Sequence, residues 1–397
     1  MNIENNEISF DFLRNSKQVR LSQIASPNAR IGWQNLRRSE FKDEGDVYII
    51  TGTDFINGTV NLKTCQYVDT PRYEMDDKIK IHENDILITK DGTIGKVAIV
   101  KGLDKKATLN AGVFVLNNIS KDVDRMYLYH YLRSPNLLNF INSQSTGGTI
   151  LHLNQSVLLK FPVQLPELHI QQKIAEFFTA LDEKIQLKVH KKAQLEYLYK
   201  SLLEKLYSTT IDRIPLSEVA TFHSGLTYKP TDVSDSGVIV LRSSNIQNNH
   251  IDLTDKVFVD MNLPSELKIN EGDILMCIRN GSKNLVGKTA LIDSTCESYT
   301  WGAFMMVIRS KEQNNWVHHF LRSKKFRSQI DSDSNTATIN QITKGMLNEC
   351  LIPWPALETR VNSSKLLDLI ERRIFITERM IFELNSLKKA FMQRMFV

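Results

Sequence analysis

The sequence predicts an α+β protein: two pseudo-repeated α/β domains separated by two long helices. Three observations predict it. The chain is written twice, as two halves of roughly 190 residues with one order of landmarks. Each half closes on a long amphipathic segment without Gly or Pro. Ahead of each such segment, short β-like runs alternate with Gly- and Asn-bearing turns.

The repeat sets the boundaries. Leu21-Ser22-Gln23-Ile24-Ala25 returns as Leu216-Ser217-Glu218-Val219-Ala220, and Asp85-Ile86-Leu87 as Asp273-Ile274-Leu275. Leu132-Arg133-Ser134 returns as Leu321-Arg322-Ser323, and Leu165-Pro166 as Trp354-Pro355. The offset is a constant 189 over the last third of each half and drifts between about 188 and 195 upstream, where loops have changed length around a kept scaffold. The expected organisation is an N-terminal tail (1–17), a first domain (18–166), a central long helix (167–210), a second domain (211–355) and a C-terminal long helix (356–397). Such a duplication suits a pseudo-symmetric partner: two copies of another protein, a duplex DNA, or both.

Within each domain the elements follow in order. Val47–Ile50, Asp85–Thr89, Val97–Val100 and Val113–Leu116 read as strands, answered by Val238–Leu241, Asp273–Met276, Thr289–Ile292 and Ala303–Val307. Their length and turn signals predict a mostly antiparallel sheet. A helix is expected over Met126–Ser143 and another over Trp316–Ser332, each followed by a Pro-bearing strand near Phe161-Pro162 and Leu351-Ile352-Pro353.

The long helices span Ile170–Tyr207 and Glu358–Val397, roughly 55 to 60 Å each at about 1.5 Å per residue. A heptad frame places Ile174, Leu181, Leu195 and Leu202, with Phe178, Ile185, Tyr199 and Leu206, on one seam. The second helix answers with Ile370, Leu384 and Phe391, and with Leu367, Ile374, Ile381 and Met395. Apolar positions kept over five heptads predict a coiled coil, the alternative being that each helix packs along its own domain. Lys188, Lys192 and Thr377 interrupt the seam; they either fix register or, for the lysines, snorkel outward.

Composition narrows the function classes. Fifty Lys and Arg against 45 Asp and Glu leave +5, which permits nucleic-acid binding without requiring it. No apolar run approaches the roughly 18 to 20 residues needed to cross a bilayer, and the polar, acidic N-terminus is not a signal peptide. Cys65, Cys277, Cys296 and Cys350 lie far apart and match neither a disulfide framework nor a zinc set, so a reduced, cytoplasmic chain is expected.

Catalytic signatures are missing. Gly281–Thr289 imitates a phosphate-binding loop, but five residues separate its glycines where that motif needs four; a hairpin is expected there and at Asp91–Val97. There is no glycine-rich S-adenosylmethionine loop and no Asn-Pro-Pro-aromatic tetrad. Asp182-Glu183-Lys184 reads as a solvated helix face rather than a nuclease cluster, and neither His152 nor His318-His319 has metal-ligand spacing, so no metal is expected. What varies between the halves is a set of loops rich in groups suited to bases and phosphates. In the first half these are Thr53, Lys90, Thr93, Lys96 and Thr146; in the second, Arg242, Ser243, Asn245, Arg279, Asn280, Ser282, Lys283, Asn284 and Lys288.

These landmarks together resemble the specificity subunit of type I restriction–modification systems, over nearly the whole chain. The most specific runs are Asp85-Ile86-Leu87-Ile88-Thr89-Lys90-Asp91-Gly92-Thr93-Ile94-Gly95 and the helix entry Leu165-Pro166-Glu167-Leu168-His169-Ile170-Gln171-Gln172-Lys173-Ile174-Ala175. The second copy of that entry, Pro355–Val361, has lost the Gln, which weakens any claim that both helices meet partners identically. The resemblance implies two target-recognition domains, each reading half of a bipartite, asymmetric DNA site. It implies that the helices form an antiparallel spacer which docks two adenine methyltransferase subunits and limits the site to roughly 16 base pairs. S-adenosylmethionine, ATP and Mg would then belong to methyltransferase and restriction subunits, this chain holding no cofactor. A stand-alone two-domain DNA-binding regulator and a coiled-coil scaffold are the alternatives.

Overall fold

The structure, a computed structural model, describes residues 16–32, 35–144, 152–296, 299–332 and 341–396. The chain divides into two compact units, Met1–Lys188 with Met380–Val397, and Val189–Arg379. The division falls inside both long helices, Leu168–Thr209 and Leu357–Met395, so each unit holds one domain and a part of each helix.

In the first unit, Lys17–Arg20 pairs antiparallel with Pro162–Leu165, placing the way into the domain beside the way out. Between them lie two sheets. One runs Gln66–Val68, Val47–Ile50, Lys106–Leu109, Lys80–Ile81. The other runs Ser26–Asn28, Val113–Asn117, Ile86–Thr89, Val97–Ile99, Thr59–Val60, Phe55–Ile56. Pairing is mostly antiparallel, with Val47–Ile50 parallel to Lys106–Leu109. The central strands are buried on both faces, which is why their sequences are continuous apolar runs. Leu87, Val113 and Val115 face a core shared with Ile50, Ala107 and Leu109. Ile86, Ile88, Phe114 and Leu116, one residue out of phase, face a second core shared with the helices. That core takes in Ile174 and Phe178 from the central helix and Met392, Met395 and Phe396 from the chain's end.

The second unit repeats this plan. Arg213–Pro215 pairs with Leu351–Pro353. One sheet runs Ala220–Ser224, Met305–Ser310, Ile274–Cys277, Thr289–Leu291, and a second contains Val238–Leu241 parallel to Thr300–Trp301. Leu275, Cys277 and Val307 face one core while Ile274, Met276 and Ile308 face the other, with Tyr199, Leu203, Tyr207, Leu367 and Ile370. Gly281–Thr289 connects the antiparallel strands Ile274–Cys277 and Thr289–Leu291. A strand follows it rather than a helix, so the phosphate-loop reading has no support in the fold.

The helices predicted over Met126–Ser143 and Trp316–Ser332 are each broken in two. Arg125–Leu132 is followed by Pro135–Ser143, and Trp316–Phe320 by Lys324–Ser332. Pro135 cannot donate to a preceding turn, and Ser134 Oγ caps the new start by accepting from Asn136 N. Ser323 does the same for Phe326 N at 3.1 Å.

In both units the long helices pair antiparallel. Phe177 meets Phe391 and Asp182 meets Lys388 in the first; Lys192 meets Glu378 at 3.0 Å in the second. Of the predicted seam, Ile174, Phe178, Leu181, Ile185, Leu367, Ile370, Thr377 and Met395 are buried. Lys188, Lys192, Leu195, Leu202, Leu206, Ile374, Ile381, Leu384 and Phe391 are half-buried. The heptad frame places Tyr199 on the seam, where it is buried, but misses Leu203 and Tyr207, which are buried instead of their half-buried neighbours because Tyr207 packs on Trp316 and Phe320 of the domain. The pairing is therefore one face of a three-layer packing rather than an isolated coil. Thr377 meets its own need by donating to Arg373 O at 2.7 Å. All four cysteines are buried, and burial pushes the Cys65 thiol up to about 12. Among the described residues no helix is long and apolar enough to cross a membrane.

Candidate nucleic-acid interface

Both units build the same loop frame from different residues. In the first, Thr51 leads into a short turn whose last residue, Asp54, accepts from Thr51 N at 2.8 Å and from Thr64 Oγ1 at 2.9 Å. In the second, Asn245 holds the equivalent place: its Oδ1 accepts from Arg242 N, and its Nδ2 donates to Asp252 O and Asp255 O at 2.9 and 2.7 Å. Expected among the outward-reading residues, Asn245 is 1% exposed with its amide spent inside the loop, so it shapes the loop instead. A two-residue hairpin follows each turn. Asn57 and Gly58 (φ 52° and 86°) join Phe55–Ile56 to Thr59–Val60, while Asn248 and Asn249 (φ 50° and 65°) join Ile246–Gln247 to His250–Ile251. Two consecutive positive φ values match the right-handed twist of the flanking strands, and Asn and Gly are the residues that tolerate them.

The second variable loop leaves the strand end beside this frame. A cation covers an aromatic ring at its start in both units: Lys90 over Phe114, and Arg279 over Phe304, each at 5.5 Å. Thr89 Oγ1 then ties the first loop by donating to Thr93 O and accepting from Lys96 N, leaving the Thr93 and Lys96 side chains exposed. In the longer second loop Asn280 Oδ1 accepts from Ser282 N, while Nδ2 donates to Ser243 Oγ at 3.1 Å, joining the two variable loops directly. Ser282, Lys283 and Asn284 are exposed; Lys288 is half-buried. Arg242 is held by Asp255 at 2.7 Å, and the exposed Thr53 hydroxyl lies 2.6 Å from that of Thr51. Thr146 lies outside the described residues.

Each loop frame opens on a cleft. In the first unit Lys96, Asn57, Gly58, Arg133 and Ser134 line about 280 Å³. In the second, Lys288, Asn248, Asn249, Arg322 and Ser323 stand in the matching places around about 890 Å³, joined by Asn284, Lys200 and Lys324. Sequence reasoning placed a variable loop near Arg242–Asn249 but did not single out Asn248, His250, Lys200 or Lys324. The turn carried a signal, two Asn between β-like runs, but the lysines look like any solvated lysine until the fold brings them to the cleft.

Beneath each cleft, the repeated Leu-Arg-Ser landmark clamps a domain to a long helix. Arg133 binds Asp182 at 2.7 Å, and Arg322 binds Glu371. Lys388 from the other helix also binds Asp182, which is therefore an enclosed ion-pair centre and not the solvated face its sequence suggested. Burial would raise the Asp182 carboxyl, but Arg133 and Lys388 together hold it below the usual range. Burial likewise pushes His130 down to about 3 and His318 to about 4, so both imidazoles are neutral in the fold. His318, His319 and Glu371 bring three potential metal-ligand atoms within 4.8 Å of one another. His319 bonds Tyr199 Oη and Asp368 Oδ1, both at 2.9 Å, and Arg322 sits on Glu371, while His318 Nδ1 is buried without a hydrogen-bond partner among the described residues. His319 and Glu371 belong to the clamp.

Comparison with known proteins agrees with this duplicated frame. The type I restriction modification DNA specificity domain matches twice, over residues 15–197 and 210–386. The chain is 33% identical over 186 residues to the specificity subunits of the type I restriction enzymes StySPI of Salmonella potsdam and EcoKI of Escherichia coli K12. That match covers 45% of this chain and only 40% of the length of either relative. Similarity to the MjaVIII specificity subunit of Methanocaldococcus jannaschii is 24% over 340 residues, 79% of each chain. Among solved structures, the S subunit of a type I system from M. genitalium superposes with a TM-score of 0.64 at 16% identity, covering 100% of this chain and 98% of that one. The two matched segments take in both domains and most of both long helices, and the chain belongs to the type I restriction–modification DNA specificity family.

Proposed function

We propose that this chain is the DNA-specificity subunit of a type I restriction–modification complex, each domain reading one half of a bipartite, asymmetric site. The observation that carries this reading is the pair of equivalent clefts whose frames repeat while the second adds cations and amides that the first lacks. Lys96 faces one cleft, and Asn284, Lys288, Lys200 and Lys324 the other. Lysines at such edges neutralise phosphates; exposed Thr93, Ser282, Lys283 and Asn284 are placed to reach base edges. Thr53, Ser243, Arg279 and Asn280 support or extend that surface, with Lys90 and Arg242 anchoring it.

The chain is non-catalytic in this reading and binds no cofactor. S-adenosylmethionine belongs to two methyltransferase subunits, ATP and Mg to restriction subunits, and the complex works in the cytoplasm. A duplicated apolar surface supports two equivalent partners. Leu168, Phe177, Leu187 and Leu198 on the central helix are exposed, and so are Leu357, Leu366, Ile376 and Leu387, each 189 residues later. Exposed apolar residues repeated at one spacing fit two copies of one protein better than scattered surface contacts.

Mapping methylated adenines genome-wide, with this chain and its methyltransferase present or the chain deleted, tests the reading. A two-part motif that vanishes with the deletion is the expected result; an unchanged methylation pattern overturns it.

A further inference from the structure

Both hairpin turns are tied to both long helices by a charged bridge, and the charged hubs of the two bridges stand at positions that the repeat does not relate. In the first unit Arg133 is the hub. Its Nη2 donates to Asn57 O at 3.4 Å, and its Nη1 donates to Tyr129 Oη and to Asp182 Oδ2, both at 2.7 Å. Tyr129 Oη donates in turn to Gly58 O at 2.9 Å. Asp182 lies on the central helix and holds Lys388 of the C-terminal helix. Gly58 makes the approach possible, since a Cβ there would lie 2.5 Å from the Arg133 guanidinium carbon.

In the second unit the hub is a carboxylate. Glu378 of the C-terminal helix accepts from Asn248 Nδ2 at 2.9 Å and from Lys192 of the central helix at 3.0 Å. The His250 ring packs beside it on Phe375, with ring centroids 4.3 Å apart. The residue 189 before Glu378 is Val189, and the residue 189 after Lys192 is Ile381, so neither member of this bridge has a counterpart in the first unit. Arg322, the repeat of Arg133, binds Glu371 and covers the Tyr199 ring at 4.7 Å. The two halves have thus kept the connection from turn to helix pair, and an Asn at the first turn position, while moving the charged hub from Arg133 to Glu378.

We propose that Arg133 with Asp182, and Glu378 with Asn248, are positioning residues. Each pair sets how one domain presents its hairpin to its half of the target, so that breaking one bridge relaxes discrimination at one half-site only. The physical basis is geometric. A hairpin turn of two positive-φ residues is held at its tip by charge-assisted bonds, which are directional and about twice as strong as neutral ones. Base readout depends on donors placed to within a fraction of an ångström. The inference rests on the specificity-subunit reading.

The test uses the full chain assembled with its methyltransferase. The wild-type motif is mapped first, and binding is then measured on duplexes carrying single base-pair changes across it. Asn248→Asp keeps a residue that tolerates positive φ but sets two carboxylates against each other. Discrimination among bases in one half-site should fall by about three- to tenfold, with the other half unchanged. Adding Glu378→Gln supplies an amide that donates to the new carboxylate and should restore discrimination. Asp182→Asn should relax the opposite half-site. A fall in thermal stability with discrimination intact at both halves, or equal relaxation of both, overturns the inference and leaves the bridges as ordinary structural contacts. Absence of any bipartite motif in the wild type overturns the specificity reading itself.

Discussion

The two units use one frame and finish it differently. Where the first places Lys388 on the clamp carboxylate, the second places Tyr199, 189 residues earlier, under the Arg322 guanidinium. Where the first closes its hairpin with Gly58 against Arg133, the second has Asn249 and a turn tied to Glu378. Sheets, clamp arginines and helix-end aromatics are shared; loop lengths and bridge residues are not. The difference teaches that the duplication preserved the support of each loop surface and left the surface free to change.

The largest expected effect breaks what the units share. Phe178 is fully buried against Phe396, and Leu367 and Tyr207 fill their respective places in the other unit, so Phe178→Ala should cost about 3–5 kcal/mol in urea unfolding. A cost below about 1 kcal/mol would show that the helix ends merely lie on the domains. Gly58→Ala should come next, at about 1–3 kcal/mol, because it meets both a positive φ and the Arg133 side chain. Asn249→Gly, at the corresponding turn, should change thermal stability by under about 1 kcal/mol. Equal effects at the two sites would erase the asymmetry.

Acid sensitivity sharpens the comparison further. His130 and His318 stay neutral in the fold but take up a proton once unfolded, at the ordinary value of 6.5. Their contribution is complete above that value and declines as pH falls, the decline ending near 4 for His318 and near 3 for His130. A pH series of unfolding free energies should show both histidine-linked losses, and His318→Asn should remove the one that ends at the higher pH. Smallest of all, Lys96→Ala and Lys288→Ala should each lower DNA affinity nearly uniformly across sequences and reduce the salt slope by about one. A change in sequence preference instead would move these lysines from phosphate to base contact.

Much of the frame was legible in the chain. The repeat, the apolar strand runs and the long Gly- and Pro-free segments carry their own periodicities, and those periodicities set the elements. The break at Ser134-Pro135 was also written there, yet apolar residues recurring on both sides of it across Met126–Ser143 masked it. The clamp was not legible. Asp182-Glu183-Lys184 has the spacing of a solvated helix face, and only the arrival of Arg133 and Lys388 from elsewhere in the chain encloses Asp182. Asn245 shows the same limit in reverse, since an amide in a variable loop looks available until the loop closes over it.

The strand pairs at the foot of each domain have a consequence for inheritance. Lys17–Arg20 lies against Pro162–Leu165, and Arg213–Pro215 against Leu351–Pro353, so each domain is joined to the rest of the chain through two neighbouring strands. A segment whose ends already touch can be exchanged as a cassette without stretching what it is grafted into. One crossover on each side of such a cassette would replace a whole domain, variable loops included, while the long helices stayed as they were.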